Sequence, residues 1–129
     1  MDTNISSLPF SYVIQSGSIS ANANTTLLLQ LQADSQFELE AVFATSSLDA
    51  NTDISSNNFS VQMSDQSTGR LFSNGRVPQR AFAGNAFNGA LNRRPITFQP
   101  NSIVNFDILN LTANANIVTI VLKGYKILV

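Results

Sequence analysis

Apolar and polar residues alternate with a period of two along most of this 129-residue chain. Such alternation marks strands with one buried face. From Phe37 the run Phe-Glu-Leu-Glu-Ala-Val-Phe predicts a strand with Phe37, Leu39, Ala41 and Phe43 on one side. Glu38 and Glu40 fall together on the other. Phe59, Val61 and Met63 alternate with Ser60, Gln62 and Ser64, and Val104, Phe106 and Ile108 alternate with Asn105 and Asp107. Leu27 to Leu31 is a further apolar run, and Ile117 to Val129 is a β-branched segment broken once, by Gly124.

Turn formers separate these runs. Ser67-Thr68-Gly69, Ser73-Asn74-Gly75 and Gln99-Pro100-Asn101-Ser102 all carry residues suited to tight turns. Residues 112–116 predict a hairpin between the last two strands. Helical signals are weak, because the Ser, Asn and Asp residues of 49–57 compete with helix backbone bonds. Short strands with one apolar face each are best buried as two packed sheets. The expected fold is therefore an all-β, single-domain β-sandwich of jelly-roll type over residues 9–129, after a polar N-terminal arm at residues 1–8. A closed barrel is the alternative. One long ordered loop is expected from Ser73 to Pro95, with Phe82 and Phe87 plugging the core, covering a sheet edge or entering a partner.

Composition narrows the chemistry. The chain has neither histidine nor cysteine, which excludes Ser-His-Asp and Cys-His catalysis, disulfides and thiolate metal sites. Glu38 and Glu40 are the only glutamates, and the pair reads as a solvated strand face rather than a hydrolytic dyad. No enzymatic activity is expected. Asp49, Asn51 and Asp53 alternate like calcium ligands, but Ile54 stands where an EF-hand has glycine and Ser60 where it has glutamate. An Asn/Asp-rich turn explains them better, and no metal or other cofactor is expected. No apolar run approaches the ~20 residues of a membrane-spanning helix. Met1-Asp2-Thr3-Asn4 lacks the features of a secretory signal, which predicts synthesis in the cytoplasm.

Charge is sparse and sorted. Only 12% of residues are charged, against roughly a quarter in ordinary soluble domains, and the net charge is −1. Arg70, Arg76, Arg80, Arg93 and Arg94 cluster in one stretch, while Asp34, Glu38, Glu40, Asp49, Asp53 and Asp65 precede it. Nucleic acid is not the expected partner, because binding it draws on a basic domain. A protein surface bearing carboxylates suits the guanidinium fork better. The candidate interface residues are Arg70, Phe72, Arg76, Arg80, Phe82, Arg93 and Arg94.

The stretch Asp65-Gln-Ser-Thr-Gly-Arg70-Leu-Phe-Ser-Asn-Gly-Arg76-Val-Pro, then Arg80-Ala-Phe-Ala-Gly84, resembles small structural proteins of tailed bacteriophages, of the capsid decoration or cement type. Phe98-Gln-Pro-Asn-Ser-Ile103, Asn110-Leu-Thr-Ala113 and Val121-Leu-Lys-Gly-Tyr125 extend the resemblance over Phe37 to Val129. It implies a β-sandwich on the capsid exterior of a virion, bridging neighbouring subunits of the major capsid protein. It also implies contacts between copies, often as a homotrimer, and no small-molecule substrate. Alternatives are a neck, tail or baseplate component, or a carbohydrate-binding β-sandwich module. The latter has few aromatic platforms to draw on, with no tryptophan and only Tyr12 and Tyr125.

Overall fold

The structure, a computed structural model, describes residues 7–48, 51–52, 59–78, 90–113 and 115–128. The strands in chain order are β1 Ser7–Gln15, β2 Asn24–Gln30, β3 Ser35–Leu48, β4 Asn51–Thr52 and β5 Phe59–Asp65. They continue as β6 Arg70–Leu71, β7 Val77–Pro78, β8 Ala90–Phe98, β9 Ile103–Asn110 and β10 Asn116–Leu128. Sheet A runs β1-β10-β3, with β8 and β4 along the far edge of β3. Sheet B runs β2-β9-β5, with β6 and β7 along the far edge of β5.

The pairing is nested. First strand pairs with last (β1·β10), second with second-last (β2·β9), then β3 with β8, and β5 with β6 and β7, all antiparallel. That is one long antiparallel hairpin rolled so that its successive rungs fall alternately into two sheets. A jelly-roll β-sandwich results, as the strand periodicity predicts.

The rolled sheets close on one apolar core. Phe37, Leu39, Val118, Ile120 and Leu122 from sheet A meet Phe59, Val61, Val104, Phe106 and Ile108 from sheet B, all essentially inaccessible to water. Each such side chain contributes roughly 1.5–3 kcal/mol by leaving water. Aromatic edges lock the end where Phe37 registers with Phe98: Tyr12 meets Phe37 at 4.9 Å between centroids, and Phe72 meets Phe98 at 5.7 Å, both T-shaped.

Four expectations change. First, β1 already begins at Ser7, inside the segment expected as an arm, and Ser7 pairs with Ile127. Second, the hairpin expected at 112–116 does not form, because β9 lies in sheet B and β10 in sheet A. The chain leaves β9 for the other sheet at buried Asn110, whose Nδ2 donates to the carbonyls of Ile19 and Ser20 while its Oδ1 accepts from Thr112 N and Oγ1. Third, the segment from Ser73 to Pro95 is not one loop: β7 occupies its start and β8 its end. Arg93 and Arg94 therefore lie on a strand. The fourth change concerns Phe43 and creates the surface described next.

Candidate docking surface

β3 and β10 pair along their whole length, but their register shifts between Lys123 and Gly124. The cause is local. A Cβ at Gly124 would lie 1.9 Å from the carbonyl oxygen of Glu38, so only glycine lets the two backbones approach there. Opposite, on β3, the register skips Glu40: Leu39 and Val42 both belong to the core, while Ala41 pairs with outward-facing Lys123, so the alternation breaks at Glu40. This bulge inverts the phase of the strand beyond it. Phe43, expected in the core with Phe37, Leu39 and Ala41, instead lies half-exposed on the outer side and registers with outward-facing Val121.

The consequence is an apolar band across the outer face of sheet A. Val13, Val121 and Phe43 stand side by side on β1, β10 and β3, and Val13 is 59% exposed. Pro9, Tyr125 and Glu38 form the row below, and Ile127 the row below that. Ser11 and Lys123 lie between the first two rows. At the bulge itself is a hollow of about 290 Å³, lined by Glu40, Ala41, Phe43, Lys123, Gly124 and Tyr125. Glu38 and Glu40 do share the outer face, as their spacing predicts.

β8 adds a second irregularity at the rim. Leu39 registers with Ile96 and Ala41 with Leu91, so residues 92–95 on β8 stand opposite Glu40 alone. Residues 92–95 thus bulge from a strand that, among the described residues, pairs with β3 alone, and a sheet edge is where a proline and charges are tolerated. Arg80 and Phe82 lie outside the described residues, as do Phe87, Asp49 and Asp53.

The other candidate arginines engage their own chain. Arg76 Nη2 donates to both carboxylate oxygens of Asp107 on β9, at 3.1 Å each. Gln62 Nε2 donates to the carbonyl of Ser73, so the β6–β7 turn lies over the outer side of β5. Arg70 stacks on Phe72, 5.0 Å from its ring centroid, and donates to the Thr97 carbonyl of the opposite sheet at 3.4 Å. Phe72 packs on the core. The turn before β6 follows its sequence: Ser67 N donates to Asp65 Oδ1, and Gly69 adopts φ 76°.

Lys126 holds the β1–β10 side of the same end, in register with Phe37. It faces inward and is buried, its Nζ donating to Gln32 Oε1 and to Asp34 Oδ2 (3.2 Å), and lying 4.6 Å from the Phe10 ring centroid. The hydrogen bond from Lys126, followed by one from Ser35, holds the Asp34 carboxyl below its ordinary value.

Among the described residues no cluster of three or more acidic side chains is placed to hold a metal ion, and no helix is long and apolar enough to cross a membrane. Sequence reasoning missed Phe43, Val13 and Val121 as surface residues. The one signal for them was Gly124, an isolated glycine inside a β-branched strand. No known family model matches the chain, and no curated protein matches it.

Proposed function

We propose that the protein is a structural component of a virion, bound to the capsid exterior and bridging neighbouring subunits of the major capsid protein. The outer face of sheet A carries this reading. A band of apolar side chains crosses three strands there, flanked by Glu38, Glu40 and Lys123. Contiguous exposed apolar surface of this kind marks a protein contact. The surface spans three strands and is far broader than the hollow of about 290 Å³ within it, which suits a protein neighbour better than a small molecule. The jelly-roll sandwich supports the reading, since shells and lectins both use it. The sequence resemblance to capsid decoration proteins supports it independently.

Two measurements test the proposal. Cryo-electron microscopy of purified particles should show the sandwich seated on the shell in many copies, with sheet A's outer face covered. Absence of the protein from purified particles would overturn the reading, and a handful of copies at one vertex would move it to the neck or tail.

A further inference from the structure

We infer that the outer face of sheet A pairs with the same face of a second copy of this chain, about a two-fold axis parallel to β3 and β10. The inference rests on the docking reading above and names the occupant of that surface.

Area comes first. β10 is 13 residues long, so the face measures roughly 40 Å along the strands and about 20 Å across four of them. Its area, at most about 800 Å², matches the roughly 600–1,000 Å² per partner of a stable complex. A face of this size is sufficient for a dimer without help from other surfaces.

Charge and shape complementarity follow from the register. A two-fold axis midway between β3 and β10, parallel to both, places each residue of β10 over the β3 residue that it pairs with in its own sheet. Val121 then meets the second copy's Phe43, and Tyr125 meets its Glu38. Lys123 lies over Ala41, beside Glu40, which is where the hollow opens. The lysine stem enters that hollow against Phe43, and its ammonium shares the Glu40 carboxylate with the Lys123 that lines the same hollow. The operation is isologous, so each of these contacts occurs twice. An axis perpendicular to the strands instead lays β10 over β10 and forfeits the lysine–glutamate match. The parallel axis leaves the two β8 bulges, with Arg93 and Arg94, at the rims of the dimer. A pair of copies then presents two equivalent rims to neighbouring shell subunits, and the dimer does the bridging.

Sedimentation equilibrium of the full chain tests this, with circular dichroism melts confirming that each variant folds. Wild type should be dimeric at micromolar concentration. Lys123→Glu and Glu40→Lys should each weaken the dimer at least ~tenfold, and the double exchange should restore it to within about threefold. A wild type that stays monomeric up to ~100 μM, a trimer, or a dimer indifferent to both charge reversals would overturn the pairing. If the chain is monomeric while Val121→Glu abolishes its binding to particles, the face belongs to the capsid protein instead. The pairing then fails and the proposed function survives.

Discussion

Two regions of this molecule exchange the roles that their sequences advertise. Arg70 to Pro78 carries charge and turn residues and reads as a docking loop. In the fold Arg76 is clamped on Asp107, Arg70 lies between Phe72 and Thr97, and Phe72 joins the core. Phe37 to Phe43 reads as a core strand. In the fold one bulge turns its last aromatic outward beside Val121 and Val13. Charge in a sequence shows where ions are, but not whether their partners are internal. Periodicity shows which residues share a face only while the phase holds.

The comparison depends first on Gly124, and its substitution should have the largest effect. Gly124→Ala drives a methyl group into the Glu38 carbonyl, and β3 must separate from β10 or re-register. A loss of about 3 kcal/mol or more in urea unfolding is expected. A loss below ~0.5 kcal/mol would mean that the bulge does not depend on glycine. Asn110→Ala should come next, at about 2–3 kcal/mol, because it removes the buried amide that ties the two sheet crossovers together.

Smaller effects separate the two regions. Arg76→Ala removes a half-exposed ion pair and should cost no more than ~1 kcal/mol in the same assay. Val121→Glu should change the isolated fold by a similarly small amount, since its side chain faces outward. If Arg76→Ala unfolds the domain, the β6–β7 turn is a structural keystone rather than a surface clasp.

Acid offers the mildest probe. The folded pKa of Asp34 is depressed, so its pairing with Lys126 stabilises the fold above the unfolded value of 3.8 and is lost as pH falls through the folded pKa. Asp34→Asn should therefore flatten the decline of melting temperature below about pH 4. An unchanged decline would show that other carboxylates dominate acid unfolding.

Much of the fold was legible because alternation survives in Phe59–Met63 and Val104–Ile108, where every apolar residue is buried as expected. The turns at Gly69 and Asn101 were legible because both positions need positive φ. The passage from β9 to the other sheet was not, because a short polar connection looks the same whether it joins strands within one sheet or between two. The docking face was not legible for a stricter reason. It arises from the approach of two backbones 86 positions apart, Glu38 and Gly124, and only pairing reveals it.

The central claim is that attachment depends on the contact made by sheet A's outer face, through the paired copies that bridge the shell, and not on the Arg70–Arg76 segment. The most direct measurement is the occupancy of Val121→Glu and of Arg70→Ala with Arg76→Ala on purified particles, each against wild type. We expect the first to fall at least ~tenfold and the second to stay within about twofold. The reverse order, with full occupancy for Val121→Glu and loss for the arginine variant, would contradict the account.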